Sequence, residues 1–319
     1  MNMQRRQFLF AVALATAAST PVFSTQVLGQ TPAPATGTPA TTQNAAPIPD
    51  FSGFWAHPML GFEPPVSGPG PVRNLSRTRA GASDFNSLVG DYKNPILQPW
   101  AAEVVKKFGE ISLSGLAFPD PDNQCLLQPV PYVFWNFEIQ VLQLPDRVVI
   151  LYPHDQDFRI VRLNQPHPAK VIPTAHGDSV GHYEGDTLVI DTVGVKVGKY
   201  TMIDRFGTPY TEALHVVERY RLLDYEAAKE AQDRGHKEWP RAGGGAEPVR
   251  KDKGLQLEFT VEDKGVFTVP WKATITYLRA GHTEWEERVC AENIQHYYTG
   301  TSYYSDKDAR IPTADKPDF

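Results

Sequence analysis

From residue 130 onward the chain alternates apolar and polar positions with a period of two, the mark of half-buried antiparallel strands. In YVFWNFEIQVLQ, residues 132–143, Val133, Trp135, Phe137, Ile139 and Val141 fall on one face, and Asn136, Glu138 and Gln140 on the other. Pro145 and Asp146 then predict a turn, RVVILY a returning strand, and FRIVRL at 158–163 a third. HGDSVGHYEGDTLVIDT, residues 176–192, predicts a hairpin: SVGHY and TLVIDTV pair across EGD, and Gly185 supplies the positive φ of the turn. Glu184 and Asp186 are read as turn residues. Further strands are expected in KYTMIDRF, TEALHVVERYRLL, LQLEFTVED, FTVPWKATITYL and TEWEERVCAEN. Two segments break the alternation. DYEAAKEAQDRGHKEW combines a capping Asp224, helix formers and a Gly235 stop, and PWAAEVVKKFGE places Trp100, Val104 and Phe108 on one helical face.

Nine or so strands with few helices define an all-β chain, an antiparallel barrel or sandwich, and closure into an antiparallel β-barrel with one or two short helical insertions would remove exposed edges. Gly53-Phe54-Trp55 resembles the G-x-W opening of lipocalins and related calycin barrels. The combination GDSVGHYEGDTLVID, DRFGTPYTEALHVVERY and WEERVCAEN resembles a large group of exported bacterial proteins. Their usual motifs read D-x-SG-x-W, GDSxGxWEGDTLVV, DRxGxxxSEALxVxERY and VCAEN. The match covers most of residues 50–295, with Tyr183 in place of Trp and Thr211 in place of Ser. This resemblance implies a barrel and an exported location, and no particular chemistry.

The N-terminal end supports that address. Arg5 and Arg6 precede the short apolar run AVALATAA, and small residues follow to Gly29, so residues 1–29 are expected to be a twin-arginine export signal. Residues 30–49, rich in Pro, Ala and Thr and uncharged, lack the apolar surface to offset ordering and are expected to be a spacer. Residues 50–300 then form one domain and 301–319 an irregular tail, in a periplasmic or secreted protein. No second transmembrane candidate is present.

Removing residues 1–29, which hold two arginines and no acids, takes the formal charge from −6 to −8. With no Lys/Arg cluster, this argues against nucleic acid or an anionic membrane surface as partner. Cys125 and Cys290 are expected to form a disulfide in an oxidising compartment, closing a 165-residue loop worth about 5 kcal/mol in chain entropy. The other reading is two buried thiols. Neither cysteine has a CxxC partner, which disfavours a metal site.

G-x-S-x-G, HExxH, P-loop and dinucleotide signatures are all missing, so no nucleotide cofactor or metal is expected. The positive signal is acid on apolar faces. In TEALHVVERYRLL, Glu218 shares a face with Val216 and Tyr220, and in WEERVC, Glu287 sits between Trp285 and Val289. A desolvated carboxyl can move protons if a polar partner orients it. The competing reading pairs Glu218 with an arginine, such as Arg205 or Arg219, in a buried structural network. Asp204 and Arg205, just before Gly207, are candidates for a rim that clamps an anionic ligand group. His176, Asp178 and His182 have types that suit zinc or iron, but they need a particular bend to converge and no third histidine follows at a ligand-like spacing, so a proton shuttle by a single histidine or aspartate of this set, with Asp178 and His182 the chosen pair, is the preferred role. Trp135, with other tryptophans, can line an apolar cavity.

Together these point to a cofactor-independent acid/base enzyme of lyase, hydratase or isomerase type acting on an apolar or aromatic small molecule. Glu218, Asp178 and His182 would transfer protons, and Arg205, Asp204, Trp135, Tyr220 and Glu287 would hold the substrate. The alternative is a lipocalin-like carrier that binds such a molecule without changing it.

Overall fold

The structure, a computed structural model, describes residues 47–58, 61–116, 118–136, 138–153, 156–240 and 249–282. The chain divides into two units, Met1–Asn44 and Ala45–Phe319, and every described residue belongs to the second. Glu287, Trp285, Cys290 and the TEWEERVCAEN segment lie outside the described residues, as do the expected signal and the C-terminal tail.

Nine described strands close into one barrel in chain order: β1 (Gly53–Ala56), β2 (Glu138–Gln143), β3 (Arg147–Tyr152), β4 (Asp157–Leu163), β5 (Asp178–Glu184), β6 (Thr187–Val193), β7 (His215–Asp224), β8 (Val249–Glu262) and β9 (Trp271–Ala280), which returns to β1. This is the expected all-β barrel, antiparallel throughout the described strands except between β4 and β5, which run parallel with Val161 opposite Ser179. Parity requires such a pair. Nine strands joined in order and alternating in direction would bring β9 back to β1 parallel, yet β1 and β9 pair antiparallel. One other neighbouring pair must then be parallel, and the connection between β4 and β5 supplies the crossover.

The barrel seam is sealed at β1. Trp55 is fully buried, its indole N–H donates to Phe51 O at 2.8 Å, and the Arg279 guanidinium of β9 lies 4.0 Å from its ring centroid. The expected hairpin is present as β5–β6, with Gly185 at φ +62° in its turn.

Two helices accompany the barrel, α1 (Pro99–Leu113) and α2 (Tyr225–Glu238). α2 starts after Asp224 as expected, but that carboxylate pairs with Lys253 rather than capping the helix, and Gly235 lies inside it. It packs on β8 where Gly254 allows contact: a Cβ there would sit 2.1 Å from the Ala228 Cβ. α1 buries Ala101, Val105, Gly109 and Ser112, not the face carrying Trp100. Trp100 stays about half exposed because its indole N–H reaches out to Gly265 O at 2.7 Å.

One expected strand is shortened and another is absent. Tyr132–Trp135 forms a 3-10 turn, with Val133 N donating to Pro129 O and Phe134 N to Pro131 O, so β2 starts only at Glu138. The prolines hold the backbone in a helical bend. In KYTMIDRF, Asp204 folds the chain into a turn by accepting from Phe206 N at 2.9 Å and from Thr208 Oγ1 at 2.7 Å, and Gly207 has φ +76°.

Candidate functional site

On β7, Val216, Glu218 and Tyr220 point into the barrel, and Glu218 is completely buried. Its partner is Arg159 of β4, which meets both carboxylate oxygens at 2.6 and 2.7 Å. This fork is completed by Tyr220 Oη, donating at 2.9 Å, and Thr192 Oγ1 at 3.4 Å, itself 2.9 Å from Ser179 Oγ. Neither Arg205 nor Arg219 pairs with Glu218: Arg219 bonds Glu184 on the outside, and Arg205 bonds Asp122. Burial opposes the Arg159 charge, but Glu218 outweighs it and holds the guanidinium pKa well above its ordinary value. Both carboxylate oxygens of Glu218 are taken up by the bidentate guanidinium and by the Tyr220 hydroxyl, an arrangement in which Glu218, expected as the base, orients Arg159 and Tyr220.

The polar cluster continues toward the β3–β4 connection. Tyr152 closes β3 opposite Asp157, the first residue of β4. His176, just ahead of β5, sends Nε2 to Asp157 Oδ2 at 2.5 Å and stacks on the Tyr152 ring, 5.3 Å between centroids. Burial works to raise the Asp157 carboxyl pKa, but the His176 bond prevails and holds it below the ordinary value. Burial pushes the Tyr152 phenol above the usual tyrosine range, with Arg159 opposing and Glu218 reinforcing the shift. Three buried atoms in this cluster have no hydrogen-bond partner: Tyr152 Oη, Arg159 Nε and His176 Nδ1. Buried polar atoms are almost always paired, so three unmet ones around a single ring set this cluster apart as the candidate site.

The remaining candidates fall elsewhere. Asp178 and His182 alternate with the inward Ser179 and Gly181, and so face away from the barrel interior. Asp178 is held by Arg162 at 2.8 and 3.0 Å and by His167 at 2.6 Å, while exposed His182 bonds Glu184. Neither meets Glu218, and each is held by its own partners on the outer face of the barrel. Arg205 is no rim residue: it is fully buried, its charge lies over the Tyr132 and Trp135 rings, and Asp122 engages it at 3.3 Å. Beside it, burial raises Asp120 to about 7, with Arg205 opposing. Burial likewise raises Asp204 to about 6, against its bonds to Thr208 and Phe206, and the carboxyl is spent on its turn. Trp135 is buried among Phe62, Phe206 and Trp239, off any strand. Tyr220 touches the cluster through Glu218.

Among the described residues, no group of three or more His, Cys, Asp or Glu side chains is placed to hold a metal ion. No described helix is long and apolar enough to cross a membrane. The closed, mostly antiparallel barrel defines the protein as an all-β barrel whose largely apolar core holds one buried Arg–Glu–Tyr–His cluster. Comparison with family models, with curated proteins and with solved structures finds no match for the chain.

Proposed function

We propose that the protein is an exported acid/base enzyme of lyase, hydratase or isomerase type, acting on an apolar or aromatic small molecule that carries an oxygen able to accept two hydrogen bonds. The reading rests on one observation: Tyr152 Oη, Arg159 Nε and His176 Nδ1 are buried and unpartnered on adjoining side chains. Asp157 accepts the Nε2 proton of His176, which leaves the Nδ1 lone pair free as the proton acceptor. That nitrogen takes a proton from a carbon acid or from water. Tyr152, a neutral phenol, donates to the substrate oxygen on which charge develops, and Arg159 adds positive charge beside it. Glu218 balances the guanidinium and aims it. Return of the proton from Nδ1 to a second carbon completes an isomerisation, and its delivery to a leaving hydroxyl completes a dehydration.

The test is incubation of the mature protein with a metabolite extract, followed by mass spectrometry for bound and converted species. Conversion lost by about 10²–10⁴-fold in His176→Asn and Tyr152→Phe, with folding retained, supports the enzyme. A bound but unchanged species selects the carrier, and conversion that persists in both variants removes the assignment.

A further inference from the structure

A second feature lies apart from the Tyr152 cluster, and no residue of that cluster lines it. Between the end of α2 and residues 61–74 is a pocket of about 230 Å³. Its apolar wall is Phe62, Val72, Phe206 and Trp239, all buried. The wall is rigid. Phe62, Phe206 and Trp239 each rest on Trp135, with ring centroids 5.2, 6.1 and 6.1 Å away. The chain passes so close over the Trp239 indole that a Cβ on Gly61 would sit 2.7 Å from its Nε1. Aromatic faces held in place in this way accept a flat ring at little entropic cost.

The polar rim is almost entirely spoken for. Glu63 bonds Arg234 at 3.0 Å, and Glu238 bonds Arg77 at 2.5 Å and Ser83 at 2.7 Å. The Asn74 amide donates to Asp84 O, and its carbonyl accepts from Ser76 N and Val89 N. Arg73 is the exception. It is exposed, lines the pocket, and makes no side-chain hydrogen bond or ion pair among the described residues. We propose that this pocket is a binding site for a planar aromatic monocarboxylate, its ring against Phe62 and Trp239 and its carboxylate on the Arg73 fork. The neighbouring acids Glu63 and Glu238 disfavour a second negative charge on the ligand.

Isothermal titration with 2-naphthoate, and with neutral 2-naphthalenemethanol as control, tests the assignment on the mature chain. Saturable one-to-one binding of naphthoate is expected. Arg73→Gln should weaken it about two- to fivefold, the range of an exposed ion pair, and leave the alcohol unchanged. Tyr152→Phe and His176→Asn should leave naphthoate binding intact, which separates this site from the proposed acid/base cluster. The proposal is overturned by absence of saturable binding, by equal affinity in Arg73→Gln, or by loss of binding in either cluster variant. Arg73 is a surface residue, so its variant folds with the wild type.

Discussion

Arg159 and Glu218 form an ion pair with 2% and 0% side-chain exposure, and its removal one partner at a time is the sharpest test of the interior. Glu218→Leu leaves a buried guanidinium without its counter-charge, and also leaves the Tyr220 and Thr192 hydroxyls without their acceptor. Breaking a buried pair in this way costs about 3–5 kcal/mol, and a stranded hydroxyl adds about 1 kcal/mol. Arg159→Met strands the carboxylate, though two hydroxyl donors remain to it, so it should cost slightly less. The double variant removes both charges and should recover most of the loss, because an apolar pair of similar volume avoids the desolvation of two ions. Urea unfolding followed by circular dichroism gives the four free energies of the cycle. A coupling of at least about 5 kcal/mol, nearly insensitive to added salt, follows for a pair this deep if the double variant recovers most of the loss. A single substitution costing under about 1 kcal/mol, or a coupling that collapses in salt, would show that the pair is solvated and that the reasoning about Arg159 fails.

Two further outcomes follow from the same geometry. Burial, partly offset by backbone bonds from Pro58, Phe134 and Asn136, lowers His57 from 6.5 to about 4. The unfolded chain therefore takes up this proton first: the His57 contribution is complete above about pH 7, is lost as pH falls from about 6.5 to 4, and totals about 3 kcal/mol. Asp120 and Asp204, raised to about 7 and about 6, act with the opposite sign in that window. The quantity to measure is thus the difference between wild type and His57→Gln across pH 4–7, and a flat difference refutes the assignment. Gly254→Val should separate α2 from β8 and lower the melting temperature by several degrees, since its Cβ would meet Ala228 at 2.1 Å and the Tyr277 carbonyl at 3.1 Å. An unchanged transition would mean that α2 yields freely.

Much of the barrel was legible because period-two alternation is a local property. The β5–β6 hairpin, the α2 helix and the inward side of β7 with Glu218 all follow from side chains a few residues apart. The same rule failed wherever a local residue overrode the period: the prolines around 129–131 bend the chain before β2, and Asp204 and Gly207 fold a turn where a strand was expected. It failed differently in α1, whose helical period was right but whose buried face was set by contact with the barrel. His176 was recognisable as a candidate by its residue type, yet nothing near it in sequence announced Asp157.

The amino-acid sequence by itself determined most of the strands, that they are numerous enough to close, and that a carboxyl on β7 must leave water. Only the tertiary structure decided what that carboxyl meets. On β4, Phe158 and Ile160 are exposed while Arg159 enters the barrel in phase with Val161 and Leu163. Alternation sorts side chains into two sets without saying which set faces inward; the pairing of neighbouring strands makes that choice. The parallel step from β4 to β5 likewise brings His176 back to Asp157, 19 residues earlier, and no local pattern encodes a contact created by closing a barrel.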